Sequence, residues 1–506
     1  MRRITASVVC FAAVLSLSLL LTFTAVTALA QDARVALPNS PESAGTLVAK
    51  GLRNGSIQLP VSIHAFGIQP SLTCTPIPCV LPNVQASAGT NIANEDPIAA
   101  NPRNALQLLT GANDYNCPTY QGFYASGDGG TTWNHTCLPA LPGGSGLGDP
   151  MVGYDRLGNT FAGGIGVGSP GQVIVVSKST NNGGTWGKPV VAAVPTLSGG
   201  TTDKGWMEID TNFGSPHVNC LYVSNTQFDA SSDSEISVSH SCNHGVSWTT
   251  VVVDTLQIYP TFVDQFSDLA IGKDGTIYVS WMRCPATGTT GDCGGTKVSM
   301  LVSKSTDGGT TWSTPVTIAT PTLAPDSCGA FYGCLPNTYE RVSNIPVIAI
   351  DNSVGVHAGY LYVVYYNWTG TQMKVYVTHS TDGGTTWSAG VAVAPASAKG
   401  DQFFPWLNTS TRGTVGVTWL DRRNDPTNIS YDSYAAFSSN GGTSFTVNQK
   451  LTSAMSNPFN DGFGGSFMGD YTGNTWDGAT LYGSWMDSRT GSFMQDEVGG
   501  YTRTNP

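Results

Sequence analysis

Two segments late in the chain contain the pattern W-x-D-x-R, which could bind an anionic ligand. They are Trp419-Leu-Asp-Arg-Arg423 and Trp485-Met-Asp-Ser-Arg489, and each follows an apolar, strand-like run. Alternate residues of a strand point to one side, so in each segment the aspartate would lie beside the last arginine. Such neighbours could form ion pairs that stabilise the architecture. The alternative is an arginine cluster that holds a carboxylate with paired hydrogen bonds. The residues concerned are Asp421, Arg423, Asp487 and Arg489.

A looser repeat supplies a second set of polar side chains. An acidic or polar start, an apolar strand, a turn and another apolar strand recur seven times. The fourth copy, residues 266–281, joins its two strands through Lys273-Asp-Gly275, which is typical of a hairpin. The acidic residues at the starts could cap turns and bond to neighbouring repeats, or they could form a site for a cation, a sugar or catalysis. They are Asp96, Asp149, Asp203, Asp264, Glu340, Asp401 and Asp470.

An eight-residue motif, S-x-[DN]-x-G-x-[TS]-[WF], occurs six times and indicates the fold. In each copy the Asp or Asn can accept hydrogen bonds from backbone N–H groups, and the glycine supplies positive φ. The final Trp or Phe begins the return strand and buries a large ring. Each motif therefore predicts a tight hairpin turn, and the regular recurrence predicts a repeat architecture. The copies begin at Ser126, Ser179, Ser241, Ser305, Ser380 and Ser438.

The motif is similar to the Asp box, or BNR repeat, and the chain resembles the sialidase-like β-propeller superfamily. The resemblance extends from residue 91 to the end of the chain and implies an all-β propeller of four-stranded blades. In this superfamily the box lies between the third and fourth strands of a blade, away from the active site. All six copies are therefore interpreted as structural. The superfamily includes both glycosidases and binding proteins, so the box does not decide between them.

Seven strand-pair repeats with six boxes predict seven blades, the last without a box. After Arg489 the chain has room for about one more strand, so the missing outer strand is expected from the N-terminal side, around residues 83–88. That strand would close the ring and cover its exposed edge. Six blades with a detached hairpin are the alternative, because sialidases have six. The predicted organisation is a signal peptide at 1–30, an irregular leader at 31–90 that contributes the closing strand, and the propeller at 91–506.

The resemblance also implies a catalytic site where the inner strands begin, at the channel mouth. Sialidases use a tyrosine nucleophile, which needs a neighbouring base because its usual pKa is near 10. Tyr471 is the nucleophile candidate, beside Asp470 and with Glu340 or Glu208 as its base. Sialidases also bind the substrate carboxylate with three arginines. The predicted substrate-binding residues are Arg341, Arg422, Arg423 and Arg489, together with Asp421 and Asp487.

Residues 1–30 are predicted to form a secretory signal peptide. Two arginines precede the apolar run 8–21, and the small residues at 28–30 favour cleavage before Gln31. No later stretch approaches ~20 uninterrupted apolar residues, so no membrane span is predicted. The protein is therefore expected to be secreted, either outside the cell or in the periplasm.

Ten cysteines follow the predicted signal peptide and indicate five disulfides. Their even number and local spacing are typical of a secreted, disulfide-bonded chain. None has the spacing or the histidine neighbours of a zinc site. The expected pairs are Cys74–Cys79, Cys117–Cys137, Cys220–Cys242, Cys284–Cys293 and Cys328–Cys334. No cofactor is predicted, and a structural calcium ion is left open as an alternative.

The charge of the chain excludes some partners. The formal net charge is −11 and becomes −13 without the two arginines of the signal peptide, which argues against nucleic acids and anionic membranes.

Two functions are left, both for an expected monomer. One is an exo-acting glycoside hydrolase on glycans, or a lyase. The other is a non-catalytic propeller that binds a glycan or a cell-surface protein, or acts as a scaffold. The absence of the sialidase Arg-Ile-Pro signature favours this second function, whereas the W-x-D-x-R segments and Gly469-Asp-Tyr471 favour the first. Convergence of three predicted arginines with Tyr471 would favour the hydrolase.

Overall fold

Apolar and β-branched runs along the chain form short antiparallel strands that assemble into a seven-bladed β-propeller, as predicted. The computed structural model describes residues 34–60, 70–88, 91–169, 171–288, 290–489, 491 and 493–504, so the predicted signal peptide lies outside the described residues. Before the first blade come helix α1 (Ala44–Asn54) and strands β1 (Cys79–Val80) and β2 (Val84–Gln85). The helix lies within the leader that the sequence analysis treats as irregular.

The first three blades follow one another in the chain, each running from the channel outwards. Blade 1 contains β3 (Ala93–Asn94), β4 (Ile98–Ala100), β5 (Leu108–Asp114), β6 (Gly122–Ser126) and β7 (Asn134–Cys137). Blade 2 contains β8 (Ser145–Gly146), β9 (Met151–Tyr154), β10 (Thr160–Gly168), β11 (Gly171–Ser179) and β12 (Val190–Ala193). Blade 3 contains β13 (Thr201–Ile209), β14 (Leu221–Phe228), β15 (Ser234–Ser241) and β16 (Thr249–Val252).

The next three blades repeat this plan with four strands each. Blade 4 contains β17 (Val263–Ile271), β18 (Ile277–Cys284), β19 (Ser299–Ser305) and β20 (Val316–Ala319). Blade 5 contains β21 (Val347–Ile350), β22 (Leu361–Trp368), β23 (Met373–Ser380) and β24 (Val391–Ala392). Blade 6 contains β25 (Gln402–Thr409), β26 (Val415–Asp421), β27 (Asp432–Ser438) and β28 (Thr446–Lys450). A single 3₁₀ turn, Pro458–Asn460, precedes the last blade within the described residues.

Blade 7 is completed from the N-terminal side, as predicted. It contains β29 (Gly473–Asp477), β30 (Thr480–Asp487) and β31 (Gln495–Thr502). The outer edge of β31 pairs with β1 and β2, where Val84 lies opposite Val498 and Cys79 lies opposite Thr502. These pairings join both ends of the propeller in one sheet and cover an edge that would otherwise expose unpaired backbone groups.

The central channel is lined by the innermost strand of each blade. These strands contact one another in a closed ring in the order β4, β9, β13, β17, β21, β25 and β29. Each begins at one end of the channel and ends at the other. We call the end where they begin the leader end, because helix α1 lies there, and the end where they finish the open end.

The six repeated motifs form the turns between the third and fourth strands of blades 1–6. In the fourth copy, Ser305 Oγ accepts a hydrogen bond from Gly309 N (2.9 Å), and Asp307 Oδ1 accepts one from Thr311 N (2.9 Å). Hydrogen bonds from the Thr311 hydroxyl, from Thr311 N and from the Ser305 hydroxyl lower the pKa of Asp307. Asn181 uses its amide oxygen for the same bond, accepting from Thr185 N (3.0 Å). The motif residues therefore stabilise peripheral turns on the same side of the ring as the open end.

The ten cysteines pair as the sequence predicts, into five disulfides. Cross-links of this kind persist in oxidising compartments such as the extracellular space and the periplasm. Among the described residues, no helix is both long enough and apolar enough to span a membrane.

Candidate functional site

Helix α1 closes the leader end by setting its first turn against acidic side chains from several blades. Ser43, the N-cap, donates from its backbone N to Asp203 Oδ2 (2.5 Å) and from Oγ to Asp149 Oδ2 (2.8 Å). Ala44 N donates to Asp470 Oδ2 (2.9 Å), and Thr46 Oγ1 donates to Asp203 Oδ1 (2.7 Å). The free N–H groups of a helix N-terminus favour negative charge, so these carboxylates complement the helix.

The residues before α1 are held by the same end of the ring. The carbonyl oxygen of Pro41 accepts hydrogen bonds from Gln265 Nε2 (3.0 Å) and Tyr332 Oη (2.8 Å). The carbonyl oxygen of Glu42 accepts one from Arg341 Nη1 (2.6 Å). Because these groups come from blade 4 and from the segment that leads into blade 5, the leader bridges blades across the channel mouth. The mouth where the resemblance places a sialidase site is filled by the chain's own residues.

Burial raises the pKa values of two acidic groups near the start of α1, Asp149 and Glu95. Burial raises the pKa of Asp149 to about 6, and the neighbouring Asp203 adds to the shift. Burial also raises the pKa of Glu95, with further contributions from Asp149 and Asp470. Lys204 is fully buried among them, and burial lowers its pKa although the nearby carboxylates oppose that shift. Its Nζ has no hydrogen-bond partner in the described structure.

Tyr471, the predicted nucleophile, lies between the leader and the channel. Its hydroxyl donates to the carbonyl oxygen of Pro150 (2.9 Å), and its side chain is buried. Its ring meets Trp206 edge to face at a centroid distance of 5.6 Å and lies 6.3 Å from Trp406. Lys204 Nζ is 3.9 Å from the ring centroid. Burial, followed by Glu95 and Asp149, raises the pKa of the phenol well above its usual value, which disfavours the phenolate that a nucleophile requires.

The other predicted catalytic groups have structural partners. Glu340 Oε2 accepts a hydrogen bond from Met468 N (2.7 Å), and burial together with Asp461 raises its pKa. Asp470 accepts from α1, and burial raises its pKa as well. The acidic starts of two further blades also bond locally. Asp264 pairs with Arg283 at 2.7 Å, and Asp401 Oδ1 accepts from Met373 N at 2.8 Å. Of the seven acidic starts, the structure brings Asp149, Asp203 and Asp470 together, around the helix.

The two W-x-D-x-R segments form internal ion pairs. Arg423 Nη2 lies 2.5 Å from Asp421 Oδ2, which also accepts a hydrogen bond from Trp419 Nε1 (2.8 Å). In blade 7, Arg489 Nε donates to Asp487 Oδ1 (2.8 Å). The aspartates are buried, so each carboxylate is already occupied by protein donors. Of the two interpretations offered by the sequence, this geometry is that of the structural ion pair.

The remaining two predicted arginines lie elsewhere. Arg341 Nη2 is 3.7 Å from Asp470 Oδ2, beside the leader. Arg422 is completely buried, with Nη1 3.8 Å from Asp401 Oδ2, and burial lowers its pKa to about 10. The four arginines therefore occupy four separate environments. The convergence of three of them with Tyr471, which would favour a hydrolase of the sialidase type, is not observed.

The channel is wide and accessible at the open end. It encloses a cavity of about 970 Å³, to which the inner strands of all seven blades contribute. Three tryptophans line it, namely Trp206, Trp406 and Trp476. Trp206 and Trp406 pack with ring centroids 4.5 Å apart and stand in front of Tyr471. Because α1 and Tyr471 close the far end, the cavity is a dead-end channel with an aromatic floor.

Two carboxyl groups of adjacent blades face this channel. Glu208, on β13, is partly exposed to the cavity and has no protein hydrogen-bond partner in the described structure. Burial raises its pKa to about 8, with Asp268 and Asp210 adding to the shift. Asp268, on β17, accepts a hydrogen bond from Ile348 N (2.7 Å), and burial raises its pKa to about 7. A carboxyl group that keeps its proton near neutral pH can donate a hydrogen bond or a proton to a ligand.

Sequence reasoning considered Glu208 only as a base for Tyr471 and did not identify the other channel residues. Asp268, Trp406 and the helix were missed, although two signals were present. Ser43 precedes a run with apolar residues at helical spacing, which is typical of an N-cap. Lys204 and Trp206 directly follow an acidic start. Within the described residues, metal-type clusters of three side chains occur only around two disulfides, whose sulfurs are bonded to each other.

Comparison with known proteins gives distant structural similarity. No protein-family profile and no curated protein matches the sequence. A leech intramolecular trans-sialidase is 13% identical with a TM-score of 0.43, and the match covers 65% of this chain and 64% of that one, less than two thirds of its length. A Penicillium chrysogenum α-L-arabinanase is 13% identical with a TM-score of 0.43, over 70% of this chain and 92% of that one. A polysaccharide lyase of family PL25, an ulvan lyase, is 10% identical with a TM-score of 0.49, over 80% and 93%. All three names describe enzymes that act on glycans, but similarity at this level assigns no site residue in this chain.

Proposed function

We propose that the protein is a secreted glycan-binding propeller that takes the end of a glycan chain into its channel from the open end. The observation that carries the proposal is the dead-end cavity of about 970 Å³ with a floor of two packed tryptophans. The five disulfides support the extracellular location, because they require an oxidising compartment.

The lining of the channel suits a sugar. Binding sites for small molecules combine aromatic surface with a few well-placed polar groups. Here Trp206 and Trp406 provide aromatic surface for the C–H faces of a sugar ring. Glu208 and Asn408 add polar groups along the walls. A channel closed at one end admits a chain terminus and excludes an internal segment, so recognition would be of the exo type.

A second candidate function is glycoside hydrolysis in the same channel. It is favoured by Glu208, whose carboxyl group has no hydrogen-bond partner among the described residues and whose pKa is raised to about 8 by burial. A general acid has to hold its proton at the working pH and transfer it to the glycosidic oxygen as the bond breaks. Glu208 is our candidate for that acid. The roles predicted from the family resemblance for Tyr471, Asp470 and Glu340, and for the arginines, remain predictions. The leader contacts Asp470 and Arg341, so the roles predicted for these two residues require it to leave the channel mouth.

The test is calorimetric titration of the mature protein with neutral and acidic oligosaccharides of defined length. We expect Trp206→Ala to weaken binding at least about tenfold, since loss of an aromatic platform removes a large contact area. Because Trp206 packs on Trp406, Glu208→Gln serves as a second, nearly isosteric variant. Its matched control is Glu235→Gln, on β15 away from the channel. At pH 7 the protonated Glu208 and the glutamine both donate, so Glu208→Gln should bind like the parent there and more tightly than the parent at pH 9. The proposal fails if no oligosaccharide binds, or if Trp206→Ala binds like the parent.

The hydrolase alternative uses the same proteins with aryl glycosides as substrates. Release of the aryl group by the parent, lost in Glu208→Gln and retained in Glu235→Gln, would support it. Binding without any turnover would leave the glycan-binding function and eliminate the hydrolase.

A further inference from the structure

Two arginines lie side by side on the rim of the open end. Arg103 and Arg156 belong to the turns that follow the inner strands of blades 1 and 2, and both line the cavity. Arg103 Nη1 donates to the carbonyl oxygen of Arg156 (3.4 Å), and Arg156 Nη1 donates to the carbonyl oxygen of Thr211 (3.2 Å) on the next blade. Each guanidinium group is thus hydrogen-bonded to the next blade, so the two guanidinium groups lie along one arc of the rim.

These rim arginines differ from the arginines that hold the blades together. Five arginines of the fold have a carboxylate within ion-pairing distance, namely Arg283, Arg341, Arg422, Arg423 and Arg489. For Arg103 and Arg156, the hydrogen-bond acceptors of the guanidiniums in the described structure are backbone carbonyl oxygens. Within the described residues neither guanidinium has a carboxylate partner, and each keeps several N–H donors for a ligand. This is unusual placement in a chain with a formal net charge of −11.

Two further residues extend the arc towards blade 4. Phe213, on the turn of blade 3, is 82% exposed, and the centre of its ring lies 5.5 Å from the Arg156 guanidinium carbon. Lys273, on the turn of blade 4, is exposed and lines the same mouth. An exposed aromatic ring between cations offers a flat apolar surface next to positive charge. We call Arg103, Arg156, Phe213 and Lys273 the rim arc.

We propose that the rim arc binds the acidic groups, carboxylate or sulfate, of a glycan whose end occupies the channel. The inference rests on the proposed glycan-binding function and adds the chemical class of the ligand. Guanidinium groups bind carboxylates and sulfates with paired, charge-assisted hydrogen bonds. Two arginines at a set spacing also determine which two acidic groups along the glycan are bound. Phe213 packs against the face of the sugar that lies between two acidic groups. The aromatic floor then binds the terminal sugar, and the positively charged rim arc selects for acidic groups on the sugars next to it.

The experiment compares three probes of equal length on the mature protein: an oligogalacturonate, a sulfated dextran oligosaccharide and a neutral dextran oligosaccharide. We expect an acidic probe to bind at least about tenfold more tightly than the neutral probe at low salt, and the difference to shrink as salt is added. The two acidic probes distinguish carboxylate from sulfate recognition. The double variant Arg103→Gln/Arg156→Gln should lose the preference and keep the weaker neutral binding.

The matched control is Lys188→Gln/Lys399→Gln, which removes the same charge from two exposed positions outside the cavity lining. The inference is overturned if the control loses the preference as fully as the rim variant, since net charge would then explain it. It is also overturned if a single-stranded oligonucleotide of equal charge binds as tightly as the acidic glycans. Equal binding of neutral and acidic probes overturns the rim arc alone and leaves the proposed function standing. Absence of binding by any oligosaccharide overturns both.

Discussion

The two ends of the channel are built from the same seven strands but are finished in opposite ways. At the leader end, acidic side chains are buried and accept hydrogen bonds from an inserted helix; Asp203 accepts from Ser43 and Thr46, and also from Gln265 of blade 4. At the open end, Glu208 and the rim arginines keep free hydrogen-bonding capacity and contact solvent. The comparison shows that acidic or basic character does not by itself mark a site in a propeller. The two ends differ in whether hydrogen-bonding groups of the protein itself already bind these charged side chains.

The largest effect on stability is expected from removing the carboxylate of Asp203 at the leader end. Asp203→Ala removes the acceptor of four donors. The buried Ser43 N and Thr46 Oγ1 lose their acceptor, whereas Ser43 Oγ still donates to Asp149 and Gln265 Nε2 still donates to Pro41 O. We expect a loss of about 3–5 kcal/mol in the free energy of unfolding, measured by urea denaturation. Asp274→Ala, at an exposed turn of the open end, is the control and should change it by less than about 1 kcal/mol. Equal losses in the two variants would remove the contrast between the ends.

A smaller effect is expected from Gly45→Ala in helix α1. In an isolated helix this change is favourable, because alanine has the higher helix propensity. Here the added methyl carbon would lie 2.9 Å from Asp149 Oδ1 and 3.0 Å from Glu95 Oε2. We therefore expect a destabilisation of about 1–3 kcal/mol, seen in the urea midpoint and in faster proteolysis of the leader. A stabilised variant would show that α1 is not tightly seated.

The pH dependence of the free energy of unfolding tests the buried acidic groups of the leader end. The folded pKa of Asp149 is raised to about 6 from a usual value of 3.8, so the folded protein binds more protons than the unfolded chain between those values. Stability from this group is complete below about pH 4 and is lost as the pH rises through 6. Asp149→Asn should reduce the decline between pH 5 and pH 8 by roughly 1–2 kcal/mol, measured by urea denaturation at both pH values. An unchanged slope would contradict the assignment.

The smallest effect is expected at Glu208. Burial raises its pKa to about 8, so the group donates a hydrogen bond to a bound sugar below that pH and becomes an anion above it. Affinity of the parent for an acidic oligosaccharide should fall about threefold to tenfold between pH 7 and pH 9. Glu208→Gln, which always donates, should lose this fall, whereas Glu235→Gln should retain it. Titration calorimetry at the two pH values distinguishes these outcomes.

The fold could be predicted from the sequence because its signals are local and repeated. The six turn motifs fix the position of each third and fourth strand, and seven strand pairs give the number of blades. The closing strand followed from counting, since blade 7 had one strand too few. Each cysteine pairs with its nearest cysteine in the sequence, so the disulfides could also be predicted from local spacing. Hairpin chemistry acts within a few residues, so one sequence is enough to read it.

The candidate site could be predicted only in part, because its parts meet through long-range packing. The sequence places Asp149, Asp203 and Asp470 at one mouth of the channel, but nothing in their own segments shows that residues 43–46 will occupy it. The W-x-D-x-R pattern is compatible with a clamp or with an ion pair, and burial of the aspartates decides for the pair. The open end was not considered, since the family resemblance directs attention to the opposite mouth.

The closing strands β1 and β2 have a consequence for how the chain is made. The N-terminal segment is synthesised first, yet its partners on β31 lie some 400 residues later, where Val84 lies opposite Val498. Helix α1 of the leader, which closes the leader end, also depends on a late residue, since Ala44 N donates to Asp470. Contacts of such sequence separation are slow to form, because the intervening chain has to be ordered first. Strands β1 and β2 are therefore among the last to reach their final positions, and the ring closes only after β31 has been synthesised.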